Sequence, residues 1–202
     1  MLDTFASLSG LIASIWIIFG VYIAGKFYPN YSHSKQFCSE LGAKNSPTEK
    51  LSPWINNYPL GLLFCIFGWY ISYISDSLPL TLTGMMVVIH GIGTLVAGYY
   101  PMDADPYTKK PSVECKIHSW AGMFVLLSLL VAPICALFST EQALASIGFT
   151  LLSILSVIVS VSFLVKMTKV FKRKGNTAGL YQRLAYGTQL FWLSGLSILI
   201  MK

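Results

Sequence analysis

The feature that most constrains this chain is the recurrence of apolar runs long enough to cross a bilayer. Six occur, at 5–27, 55–75, 78–99, 117–138, 143–166 and 181–201. A hydrocarbon core of about 30 Å takes about 20 helical residues at about 1.5 Å each. Inside lipid a segment must satisfy its own backbone hydrogen bonds, which selects helices or closed barrels, and none of the runs alternates as a barrel strand does. The expectation is an all-α polytopic membrane protein, a single six-transmembrane-helix bundle over residues 1–202. Composition agrees: 54% of residues are hydrophobic and 11% charged, against about 25% charged in a soluble domain. No basic residue precedes the first run, so it is expected to be a retained helix and not a cleaved signal. Pro133, inside the fourth run, is expected to kink it.

The charges then orient the bundle. Thirteen of the fourteen Lys and Arg fall in or beside the connections after helices 1, 3 and 5: Lys26, Lys35, Lys44 and Lys50; Lys109, Lys110 and Lys116; and Lys166, Lys169, Lys172, Arg173, Lys174 and Arg183. The opposite side has Asp3, Asp76, Glu141 and Lys202. Positive charge is retained in the cytoplasm, so loops 1, 3 and 5 are expected there and both termini outside. This sorting makes the net charge of +6 a topology signal. It points to membrane lipids as partners and away from nucleic acid, and it says nothing about protein partners. The run KMTKVFKRKGN after helix 5 is either a topology anchor or a contact for acidic lipid. Cys38, Cys65, Cys115 and Cys135 have no metal-ligand spacing; Cys38 and Cys115, on the reducing side, are expected to be free thiols.

The long polar connections, 28–54 and 100–117, lie on one side, where chemistry is expected. In loop 1 the segment 31–42 is expected to form a short interfacial helix ending at Gly42. His33, Gln36 and Glu40 recur there at i, i+3 and i+7, one helical face, with Ser32 and Ser39 beside them. Either this stripe faces a polar cavity or it lies in water. In loop 3, Asp103 and Asp105 follow the helix stop at Pro101. Paired acids near His118 can hold a divalent metal or act as acid and base; the alternative is a capped turn. His90 lies about 14 Å below the helix end, where an ionisable side chain faces the bundle interior, either as a functional group or as a neutral ring bonded across helices. Gly84, Gly91 and Gly98, seven apart, make a smooth packing face on helix 3. Asn56 and Asn57 precede helix 2, and Arg183 and Gln189 lie in helix 6; Arg183 is an anion contact or a snorkelling interfacial residue. Haem is disfavoured, since only three His exist and two lie at the surface.

The stretch Y-P-N-Y-S-H-x-x-x-x-x-S-E-L-G-A at 28–43, followed by Ser46-Pro47, Asn57, Y-P-M-D at 100–103, His118 and G-L-x-x-R at 179–183, resembles a bacterial and archaeal membrane family catalogued as domain of unknown function 998. The resemblance covers nearly the whole chain. It implies six helices and a bacterial inner membrane. It also implies that His33, Ser39, Glu40, Asn57, Asp103 and His118 form the family's polar motif, and it brings no activity with it. A more distant analogy is to membrane metal hydrolases of the ceramidase and adiponectin-receptor type. This chain departs from that pattern in having six helices and no paired H-x-x-x-H in the last one. Two main functions are open: an enzyme acting on lipid at the cytoplasmic leaflet, through His33, Ser39, Glu40, Asn57, Asp103 and His118, or a small transporter or lipid- or ion-binding protein whose cavity runs toward His90. A non-catalytic accessory subunit is the third possibility.

Overall fold

The computed structural model describes residues 2–201, and their regular structure is helix, with no strand among them. Six helices, α1 (Leu2–Lys26), α2 (Tyr58–Tyr73), α3 (Leu78–Tyr99), α4 (Val113–Leu137), α5 (Ile147–Lys172) and α6 (Ala178–Leu199), follow the six apolar runs. Each packs on its neighbours in sequence, and α6 closes the ring against α1. Short connections at 74–77 and 138–146 leave one end of the bundle plain; the other carries loop 1 (27–57) and loop 3 (100–112).

The inside-out distribution of side chains is that of a lipid-solvated bundle. Helix α1 turns Ser7, Ser9, Gly10, Ala13, Ser14 and Gly20 inward and exposes Ile15, Ile18, Phe19 and Ile23. Helix α5 likewise buries Ser153, Ser156 and Ser160 and exposes Leu151, Leu155 and Ile158. Lipid removes the drive to hide large apolar groups, so small residues occupy the contacts and hydroxyls bond across them. Ser14 donates to the Leu190 carbonyl at 3.2 Å and Ser160 to that of Ala185 at 3.2 Å, while Trp192 Nε1 donates to Ser153 at 2.9 Å. Helices α1, α3, α4 and α5 are long and apolar enough to cross a membrane. The tightest contact joins α2 and α3, where Gly61 faces Gly91 and Gly68 faces Gly84 in an antiparallel register.

Three sequence expectations change here. Segment 31–42 is not one helix: turns run to Gln36 and a 3-10 helix spans Cys38–Gly42. Local side-chain bonds compete with the helix. Gln36 Oε1 accepts from Ser32 N at 2.9 Å and Glu40 Oε1 from Phe37 N at 2.8 Å. Helix α5 runs on through Lys166, Lys169 and Lys172, so the first part of the basic run is helix and the loop is shortened to 173–177. The second run is helical from residue 51 but interrupted by a π turn at Pro53–Asn57. Pro59 has no N–H to give Ile55, and Trp16 Nε1 of α1 serves that carbonyl instead, at 2.7 Å. Pro133 is accommodated within α4, which continues to Leu137.

Candidate functional site

Loop 1 is tied down by the first turn of α6. No side chain caps that helix, so its free N–H groups take carbonyls from the loop: Leu180 N donates to Ser34 O at 2.8 Å and Gly179 N to Lys35 O at 3.3 Å. Gly179 permits the approach, because a Cβ there would run into the Gln36 carbonyl. Arg183, one turn on, donates to Gln36 O (2.8 Å), Gly179 O (3.0 Å) and the Tyr31 hydroxyl (2.7 Å), with His33 Nδ1 at 3.5 Å. Gln182 Oε1 accepts from Cys38 N at 2.8 Å.

Beneath this cover lies a partly open cavity of about 220 Å³, lined by residues from all six helices, the π turn and the 3-10 helix. Ile17, Val21, Leu60, Val125, Leu126 and Leu164 make its wall mostly apolar. Its polar groups include Ser39, Asn56, Asn57, His118, Gln182 and Arg183. Asn57 is held against Gly98 and donates Nδ2 to Thr94 O at 3.2 Å. His118 reaches back to the end of α3, where its Nδ1 lies 2.9 Å from Ala97 O and 2.8 Å from Tyr100 O. Two carbonyls at Nδ1 fix the proton there; Nε2 has no hydrogen-bond partner among the described residues.

The expected site residues therefore divide. Ser39, Asn57 and His118 share the cavity wall. His33 sits outside it, its ring against Gly25 and edge-on to Tyr31. Glu40 faces a second hollow with Lys35, Tyr107, Phe171 and Lys174, and burial pushes its carboxyl up from the ordinary range. Asp103 accepts from Ser112 N at 2.9 Å and Ser112 Oγ at 2.7 Å, beside the N-terminus of α4, and these bonds hold its carboxyl low. Among the described residues no three His, Cys, Asp or Glu side chains come close enough to hold a metal ion, so the metal suggested by paired acids beside a His has no donor set here. Cys38 and the other three cysteines are free, and burial pushes the Cys38 thiol up. His90 is fully buried and off the cavity wall, but Tyr186, which lines it, bonds His90 Nε2 at 2.7 Å. Gln182, Tyr31, Thr94 and Tyr186 did not stand out in the sequence; only Gln182, next to Arg183 at the head of an apolar run, had a local signal.

Loop docking should depend on pH through His33. Burial, then the charges of Arg183 and Lys26, lower its pKa below the ordinary value. The undocked ring thus takes a proton more readily, so docking is strongest above about pH 6.5 and weakens as pH falls through the lowered value. Glu40, with its raised pKa, works in the opposite direction at lower pH. Hydrogen exchange at the Gly179 and Leu180 amides, corrected for intrinsic pH effects, should quicken between about pH 7.5 and 5.5 in the wild type and not in His33→Gln. Equal protection of the wild type at both values would exclude this role.

These features define a polytopic helical membrane protein with a loop-covered cavity at one end of the bundle. The chain belongs to the family described as a protein of unknown function (DUF998), whose model matches residues 11–199. No curated protein and no solved structure matches the chain.

Proposed function

We propose that this protein binds a single-chain amphipathic molecule from the cytoplasmic leaflet of a bacterial plasma membrane, with loops 1, 3 and 5 cytoplasmic and both termini outside. One observation carries the reading: the cavity is apolar along α1, α2, α4 and α5 and polar under loop 1, which matches a chain below and a head group above. The basic loop end fits a cytoplasmic orientation. Gly122 supplies the test, since a Cβ there meets nothing within 4 Å and the residue lines the cavity. Gly122→Leu should fill the space without displacing a helix. Native mass spectrometry of the protein in mild detergent should show bound amphiphile in the wild type and at least tenfold less in Gly122→Leu, a loss of about 1.4 kcal/mol. Equal retention by a folded variant would refute the binding site.

A second reading, hydrolysis of such a lipid, is favoured by His118. Its Nδ1 is committed to two carbonyls, and its Nε2 is left to act as a base on the cavity side. Ser39 and Asn57 would position the substrate on the same wall. His118→Gln should then change cellular lipid profiles while leaving amphiphile binding intact; unchanged profiles would leave binding alone as the function.

A further inference from the structure

The cavity wall also states the chemistry of the head group. Of its lining residues one is charged, Arg183, and none is Asp or Glu. Arg183 is half-buried and has no ion-pair partner among the described residues. Its bonds go to two carbonyls, a phenol and a ring nitrogen, which leave its charge uncompensated. Glu40 feels that charge but directs its carboxylate to Phe37 N and Gln36 Nε2. A guanidinium withdrawn from water is stable when an anion meets it.

Two of the polar groups beside it, Gln182 and Ser39, offer donors. Gln182 has its carbonyl oxygen occupied by Cys38 N, which turns its NH2 free. The Ser39 hydroxyl has no hydrogen-bond partner among the described residues and lies on the same wall. Resting on the amphiphile-binding reading above, we propose that the bound molecule has an oxyanion head, a carboxylate or phosphate, recognised by Arg183, Gln182 and Ser39, with its chain in the apolar part of the cavity. Arg183 then has two roles, holding loop 1 through Tyr31 and Gln36 and compensating the head group.

The test measures equilibrium binding of oleate, oleyl phosphate, oleyl alcohol and inorganic phosphate to the purified protein in neutral detergent. Oleate or oleyl phosphate should bind at least about tenfold tighter than oleyl alcohol, the scale of one charge-assisted contact. Arg183→Gln should abolish that preference, read as the ratio of anion to alcohol affinity, and Arg183→Lys should retain part of it. Ser39→Ala, whose hydroxyl holds nothing else, should weaken the anions about threefold and narrow their margin over the alcohol, which tests the site even if Arg183→Gln does not fold. Equal binding of all three oleyl compounds overturns the oxyanion assignment and leaves the amphiphile site standing. Failure of all three overturns both readings. Inorganic phosphate bound as tightly as oleyl phosphate overturns the requirement for a chain.

Discussion

Valine at Gly68 or Gly91 should prevent the bundle from assembling. A Cβ at Gly68 would lie 2.6 Å from both the Gly84 carbonyl oxygen and the Val88 nitrogen, and one at Gly91 would lie 2.7 Å from the Gly61 carbonyl oxygen. These are backbone atoms, which have no rotamer to escape into. The two helices would have to separate along their length, and the bonds and contacts made between them would go together. Overpacking a close contact costs about 1–3 kcal/mol where side chains can yield; with backbone on both sides the loss should exceed about 3 kcal/mol, enough to remove most of a marginal stability. The measurement is monodisperse yield and thermal unfolding in mild detergent. Gly187→Ala is the control, because a Cβ there meets nothing within 4 Å on α6, and it should be neutral or slightly stabilising. A Gly91→Val protein that melts with the wild type would mean that the α2–α3 contact is looser than described.

That contact also shows what could be read in advance. The seven-residue spacing of Gly84, Gly91 and Gly98 was visible because small residues stand out in an apolar run. Their partners Gly61 and Gly68 share the spacing, but the register that pairs 61 with 91 and 68 with 84 exists only once the helices are antiparallel and adjacent. Helix number followed from hydrophobicity, a property local to each segment. The candidate site was legible by residue type and not by arrangement. A period of seven made His33, Gln36 and Glu40 look like one helical face, whereas Ser32 and Phe37 offered their backbones to the very side chains that were meant to point elsewhere. Asp103 is engaged by Ser112 across loop 3, and it is Asp105 that makes a local turn, accepting from Tyr107 N at 2.9 Å. The cavity depends on small residues such as Ala97, Gly122 and Ala185 meeting from three helices, and no single stretch of sequence encodes that meeting.

The largest single side-chain effect inside the bundle should come from His90. The ring is fully buried, with Nδ1 2.7 Å from Val125 O and Nε2 2.7 Å from the Tyr186 hydroxyl, and Phe64 stands edge-on to it. A carbonyl can only accept, so the neutral ring keeps its proton on Nδ1 and takes the Tyr186 hydroxyl at Nε2. His90 thereby joins α3 to α4 and α6 at mid-depth. His90→Ala removes the ring and both bonds and should cost about 2–4 kcal/mol, combining a cavity with an orphaned hydroxyl. His90→Phe restores the volume and should recover about half of that. Tyr186→Phe alone should cost about 1 kcal/mol, as interhelical hydrogen bonds in membranes do. In SDS-driven unfolding the double variant His90→Phe with Tyr186→Phe should be more stable than the sum of the two losses predicts, by about 1 kcal/mol of coupling. Strict additivity would show that the two side chains are neighbours without a bond. Because Tyr186 also lines the cavity, its single variant should in addition shift amphiphile affinity, whereas His90→Phe should alter stability first and binding only through Tyr186.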